Sequence, residues 1–202
     1  MLPEQFCVRM KEMLGEEYAA FYASYDLPKY QALRINPLKT ERDTFLLQAP
    51  FSLNRVPWTT NGYYYSGNDQ PGRHPYHEAG VYYIQEPSAM APAEYLMAEP
   101  GERILDLCAA PGGKSTQIAC SMQGEGLIVC NEIHPARAKI LSENIERMGV
   151  CNALVTNETP QKLSDNFREY FDRILVDAPC SGEGMFRKDN KLIKSWENWD
   201  IR

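Results

Sequence analysis

The chain has 202 residues, 44% of them hydrophobic and 24% charged, the composition of a globular protein with enough apolar material for a real core. No apolar run approaches the ~20 residues that cross a bilayer, and the N-terminus lacks the basic-then-apolar order of a secretory signal, so no membrane partner is expected. The net charge of −6 counts mildly against a phosphate-rich partner. Two local clusters, Lys29, Arg34 and Lys39, then Arg187, Lys188, Lys191 and Lys194, leave both basic surface and ordinary solvated charge open.

In chain order, Phe6, Met10, Met13 and Leu14 recur at helical spacing and predict a helix over 3–24. Residues 31–35 read as a short strand ended by Asn36-Pro37. The stretch 50–80, rich in Pro, Gly, Asn and Tyr, suits short strands and loops. Tyr63, Tyr64, Tyr65, Tyr76, Tyr82 and Tyr83 are either stacking platforms for bases or half-buried packing residues. From residue 100 the rhythm changes. Strands are predicted at 103–107, 127–131, 153–156 and 173–177, with helices at 113–122, 136–148 and 161–170, the second closed by Gly149. This alternation implies a parallel, doubly wound α/β sheet. The break between the two rhythms predicts a small α+β domain over 1–90 and a second domain over 91–202.

The residues best placed for chemistry lie at strand ends. Strand 103–107 runs into Cys108-Ala109-Ala110-Pro111-Gly112-Gly113-Lys114-Ser115 and a helix. Glycines permit close backbone approach, and a helix N-terminus offers free N–H groups. A phosphate-binding P-loop would need glycine where Cys108 stands, and the G-x-G-x-x-G dinucleotide fingerprint is absent. Glu132 follows about 20 residues later, where an acid in such folds accepts both hydrogen bonds of a ribose diol. A ribose-bearing cofactor and a purely structural turn are the two readings. The fourth strand ends in Asp177-Ala178-Pro179-Cys180-Ser181-Gly182, an acid and a thiol on a braced loop. The six cysteines form no C-x-x-C pair, so neither a disulfide scaffold nor a metal site is expected, and a cytoplasmic location is. Cys7, Cys120, Cys130 and Cys151 read as small packing hydrophobes.

Cys108–Lys114 together with Asp177–Gly182 resembles the RsmF and Nop2/Sun family of RNA cytosine-5 methyltransferases, its bacterial 16S ribosomal RNA branch most closely. Leu33-Arg-Ile-Asn-Pro-Leu-Lys39, Gly80-Val-Tyr-Tyr-Ile-Gln-Glu-Pro-Ser-Ala-Met90, Asn131-Glu132-Ile133, Asn144-Ile-Glu-Arg-Met-Gly149 and Gly182-Glu-Gly-Met-Phe-Arg-Lys188 extend the likeness over nearly the whole chain. The resemblance implies a class I S-adenosylmethionine methyltransferase fold, Rossmann-like, behind an N-terminal RNA-associated domain. It implies that residues 108–114 cradle the methionine part of S-adenosyl-L-methionine, that Glu132 holds the ribose, and that Asp177 faces both cofactor and cytosine. Asn157 and Glu158 stand where the family has an adenine contact. Arg34, Lys39, Arg187 and Lys188 are the basic residues expected nearest to ribosomal RNA, and the complete protein is expected to be a monomer.

Carbon-5 of cytosine becomes nucleophilic only after a thiolate adds to carbon-6. The resemblance assigns that attack to a cysteine in a Thr-Cys motif after a fifth strand and gives Cys180 the later step of product release. No Thr-Cys pair occurs in this sequence. The fold is therefore expected to be truncated after its fourth strand, that strand to be a bare edge, and the chain alone to be inactive on RNA. The alternatives are a non-catalytic RNA- or cofactor-binding module and, third, a small-molecule methyltransferase.

Overall fold

A computed structural model of the chain describes residues 2–186 together with 193, 194 and 196. It divides into two compact units, Tyr30–Ala178 and a smaller one that joins the residues up to Lys29 with the described residues from Pro179 onward.

In the smaller unit the single helix expected over 3–24 is two, α1 (Glu4–Leu14) and α2 (Tyr18–Ala23). Gly15 stands between them at a φ of 52°, a left-handed backbone that glycine adopts without penalty and that ends α1. Phe6 is buried, 6.3 Å from the Phe21 ring and 5.1 Å from that of Phe186.

The larger unit holds two four-stranded sheets. The first is antiparallel, in the order β2-β3-β1-β4, built from β1 (Ala32–Ile35), β2 (Leu53–Arg55), β3 (Gly62–Tyr65) and β4 (Tyr82–Ile84). Helix α3 (Arg42–Gln48) follows β1, and the single turn α4 (Pro75–Glu78) precedes β4. Leu33, Ile35, Phe45, Tyr63 and Tyr82 form its core. The Tyr82 ring stands edge-on to Phe45 and Phe51, and its hydroxyl donates to the Pro71 carbonyl at 2.7 Å. Burial pushes that phenol up to about 12. Tyr63, Tyr82 and Tyr83 are buried, so for these three packing prevails over base stacking.

The second sheet is parallel, in the order β7-β6-β5-β8. Its elements are α5 (Ala91–Leu96), β5 (Arg103–Asp106), α6 (Gly113–Ser121), β6 (Leu127–Asn131), α7 (Pro135–Met148), β7 (Ala153–Thr156), α8 (Pro160–Asn166) and β8 (Arg173–Leu175). The doubly wound architecture is the one expected. Strand side chains alternate faces: Ile104 and Ile128 meet Ile118 of α6 and Leu141 and Ile145 of α7, whereas Leu105 and Val129 meet Leu163 of α8. Helix α8 stops at Asn166 rather than reaching 170, and the chain bends so that Phe167 and Phe171 pack against this second face. β8 is an outer strand, with its Ile174 and, just past its end, Val176 more than half exposed.

A polar seam joins the two sheets. The Asn36 amide, fully buried, donates to the carbonyls of Gly80 and Met148, both at 2.8 Å. Arg147 donates from Nη1 to the His77 carbonyl at 2.7 Å.

Candidate active site

β5 ends at Asp106, and the chain turns through 107–112 into α6. Gly112 has a φ of 108° and lies so close to α7 that an added Cβ would stand 3.2 Å from Leu141 Cδ1. A Cβ on Gly113 would stand 3.3 Å from the Tyr83 ring. The glycines thus let the turn lie down between α7 and β4, a packing requirement beside the ligand approach that the motif predicts.

The turn walls a cleft of about 250 Å³ at the carboxyl ends of the parallel strands. Tyr83 and Gln85 from β4 and its continuation, Asp106, Cys108–Pro111, Gly113, Lys114 and Asp177 line it. Carboxyl ends of parallel strands are where ligands sit in open α/β sheets. Lys114 Nζ reaches Asp177 Oδ2 at 2.5 Å, so the start of α6 and the segment after β8 meet across the opening.

Asp106 is buried, and Ser115 Oγ donates to its Oδ2 at 2.7 Å. Among the described residues no hydrogen-bond partner stands within bonding distance of its Oδ1. Burial lifts this carboxyl to about 6, against the lowering effect of the Ser115 hydrogen bond and the Lys114 charge. An acceptor so placed on a cleft-lining acid suits a ligand that brings an N–H donor, as the aminoacyl end of a cofactor would. Sequence reading missed Asp106. The signal was there in an acid that closes an otherwise apolar strand.

Glu132 follows β6, with Oε1 accepting from the His134 N–H at 3.0 Å and Oε2 paired with Arg137 Nη1 at 3.2 Å. Arg137 Nη2 donates to the Ala110 carbonyl at 2.8 Å and so ties this acid to the glycine turn. Asn131 fastens the neighbouring strand ends. Its oxygen accepts from Thr156 Oγ1 and the Glu158 N–H, and its amide donates to the carbonyls of Leu107 and Glu158. Asn157 Nδ2 donates to the Glu132 carbonyl at 2.6 Å, and the Glu158 carboxylate pairs with Lys162 one turn along α8 at 2.9 Å. From sequence Asn131 is named only as part of the Asn131-Glu132-Ile133 match, with no role of its own, and Arg137 is not singled out. Glu132, Asn157 and Glu158 occupy adjacent strand ends beside the cleft lining.

The thiols divide by environment. Burial, and then the negative charges of Asp106, Glu132 and Asp177, push the Cys108 thiol above its ordinary value, so it stays protonated near neutrality. Cys130 is buried and pushed up to about 12. Cys151, grouped from sequence with the packing thiols, is exposed. Cys180 is exposed and belongs to the smaller unit.

Two basic residues expected on an RNA-facing surface are bonded within the protein, Arg34 in the interior and Lys39 at the surface. Arg34 is 1% exposed, and its guanidinium donates to Gln85 Oε1, the Gly113 carbonyl, Thr116 Oγ1 and the Cys120 sulfur. Four of the five guanidinium N–H donors are used inside the protein, and burial keeps the group away from phosphate. Lys39 Nζ donates to the carbonyls of Ala79 and Arg147, both at 2.8 Å, and so caps the end of α7. Arg187 and Lys188 lie outside the described residues.

Residues 93–202, more than half of the chain, match the family described as 16S rRNA methyltransferase RsmB/F, and residues 2–87 match the N-terminal domain of 16S rRNA methyltransferase RsmF. The chain belongs to the RsmB/F family. Among curated relatives it is similar to the ribosomal RNA small subunit methyltransferase F of Enterobacter sp. (strain 638), 39% identical over 96% of this chain and 43% of the relative. The corresponding protein of Citrobacter koseri is 40% identical over 98% of this chain and 44% of the relative. The chain therefore spans less than half the length of these RsmB/F relatives. A crystal structure described as a methyltransferase homolog protein from Pyrococcus horikoshii superposes with a TM-score of 0.81 at 30% identity, over 96% of this chain and 64% of that one.

Proposed function

We propose that this chain carries the cofactor-binding half of an enzyme that methylates carbon-5 of cytosine in small-subunit ribosomal RNA, with S-adenosyl-L-methionine as donor. The observation that carries the reading is the cleft in which two acids, Asp106 and Asp177, flank a glycine turn at the carboxyl ends of parallel strands, in a chain of this family. Bound there, the cofactor would supply an electrophilic methyl group. The backbone of Cys108, Ala109, Ala110, Pro111, Gly112, Gly113 and Lys114 holds its aminoacyl part, with Asp106 Oδ1 taking a donor. Glu132 takes the ribose, oriented by Arg137, and Asn157 and Glu158 border the adenine.

Asp177 hydrogen-bonds the cytosine ring and stabilises charge as it develops, and Lys114 places a positive charge beside it. Cys108, held as a neutral thiol, is a poor nucleophile. The attacking thiol in this reading is the cysteine of a Thr-Cys motif that this sequence lacks, and Cys180 assists release of the product. Residues 1–90 act with RNA, and Arg187 and Lys188 contact its phosphates.

The test is transfer of labelled methyl to small-subunit ribosomal RNA, followed by digestion to nucleosides. A form extended over the region its relatives have beyond residue 202 should yield 5-methylcytidine, and the 202-residue chain none. Label at any other position overturns the reading. Transfer by the 202-residue chain that is lost in Cys180→Ser reassigns the nucleophile.

A further inference from the structure

The smaller unit brings together two stretches from opposite ends of the sequence: α1, and the loop that carries Cys180. After Cys180 the loop passes Gly182 at a φ of 74° and enters a short 3-10 turn, Glu183–Met185, followed by Phe186. Two anchors fix this turn, and both reach α1. Arg9 Nη2 pairs with Glu183 Oε1 at 2.5 Å, and that same oxygen accepts from Trp196 Nε1 at 2.9 Å. The Arg9 guanidinium also lies over the rings of Phe6 and Trp196, at 5.9 and 5.8 Å. The Phe186 ring, 2% exposed, stands edge-on to Phe6 at 5.1 Å, and Trp196 stands edge-on to both, at 6.2 Å from Phe6 and 5.7 Å from Phe186.

We propose that α1 is a positioning element for the Cys180 loop, acting through Arg9 and Phe6. Without these anchors, residues 180–186 have a left-handed glycine and one 3-10 turn as their regular structure, too little to hold a thiol in place. Burial raises the Glu183 carboxyl, but hydrogen bonds from Arg9, Trp196 and Ser181 outweigh it and hold the group below its ordinary value, as a committed acceptor should be. Arg9 and Phe6 stand one turn apart on α1, so a single helix face presents both anchors.

The anchoring is tested on the 202-residue chain itself by amide hydrogen exchange over 183–186, resolved by peptide mass spectrometry, because the Met185 and Phe186 N–H groups donate within the turn whereas the Cys180 thiol is exposed already. In Arg9→Ala and Phe6→Ala, exchange of these amides should rise by about three- to tenfold, with the peptides of α7 as an unchanged internal standard, because an ion pair and an aromatic contact each shift a local opening equilibrium by about that factor. Arg9→Lys, which can keep the pair, should recover much of the protection. Rates equal to those of the unaltered chain in both alanine variants overturn the anchoring. The importance of this positioning for turnover rests on the reading of Cys180 given above. In an extended, active form, Arg9→Ala should lower kcat with the cofactor KM unchanged and should add nothing to Cys180→Ala. An additive loss overturns the positioning role. A Cys180→Ala form with full turnover overturns the role of the thiol instead, and the exchange result then still decides the anchoring.

Discussion

Replacing Arg34 with methionine removes a buried cation while keeping most of the side-chain volume. The guanidinium donates to Gln85 Oε1 at 3.1 Å, to the Gly113 carbonyl at 3.1 Å and to Thr116 Oγ1 at 2.8 Å. Thr116 keeps a second use for its hydroxyl, which donates to the Gly112 carbonyl, but Gln85 Oε1 loses the donor that the structure shows for it. Stranding Gln85 Oε1 costs ~1–3 kcal/mol, losing the bonds to Thr116 and to the Gly113 carbonyl (which keeps Thr116 Oγ1 at 3.3 Å) costs ~1 kcal/mol each, and relief of the desolvated charge offsets part of this, for a net loss of about 3 kcal/mol. For a chain of this size that corresponds to a melting temperature lower by roughly 6–12 °C. Thermal and urea denaturation followed by circular dichroism would measure it, and Arg34→Lys should recover little, because one ammonium cannot reproduce a planar fork. A loss under ~1 kcal/mol would refute the reasoning, since groups buried and engaged to this degree cannot be released so cheaply. The same variant should leave the salt dependence of RNA binding unaltered, as an internal arginine releases no counterions.

Lys39→Met should cost only ~1 kcal/mol in the same melts, because the two carbonyls it caps lie at the surface where water replaces it, and the RNA salt slope should again stay put. Glu132→Ala should weaken cofactor binding by ~1–3 kcal/mol in calorimetry, and an unchanged affinity would remove it from the site. Asp106 gives a pH signature. Its folded pKa of about 6 lies above its ordinary 3.8, so the stability it contributes is complete below 3.8 and is lost as pH rises through 6, by an amount of ~3 kcal/mol. The stability of Asp106→Asn relative to the unaltered chain should therefore improve between pH 4 and 7, as read from urea midpoints at each pH, and a flat difference would contradict the burial argument.

Most of the parallel sheet was legible because its signals are local. His134-Pro135 opens α7 and Gly149, at a φ of 73°, closes it, and β6 and β7 occupy the residues that their apolar runs predicted. The short helices α3 and α5 escaped notice because six or seven residues carry too little periodicity, and packing of Phe45 and Ala93 stabilises them instead. Gly15 was read through as part of one helix, although a lone glycine leaves continuation and termination equally open until the φ is known. At the site, the turn and its acids were visible as strand-end motifs, but the ties between them were not. Arg137 acts across a turn and a carbonyl, and no sequence spacing announces that. Arg34 was misplaced because charge suggests surface. The clue was its position inside the apolar run Ala32-Leu33-Arg34-Ile35, all four of which are buried.

The seam between the two sheets has a consequence for anyone who would divide this protein. The two family matches leave a gap between residues 87 and 93, an inviting place to cut. A piece beginning there keeps every strand of the parallel sheet yet forfeits Asn36 and Lys39, whose side chains hold the carbonyls of Met148 and Arg147. It also forfeits Arg34, which grips the first turn of α6, and Tyr83, against which Gly113 is packed. The glycine turn would then stand with one wall removed, so the antiparallel sheet works as a buttress for the ligand-binding turn and travels with it as part of the same foundation.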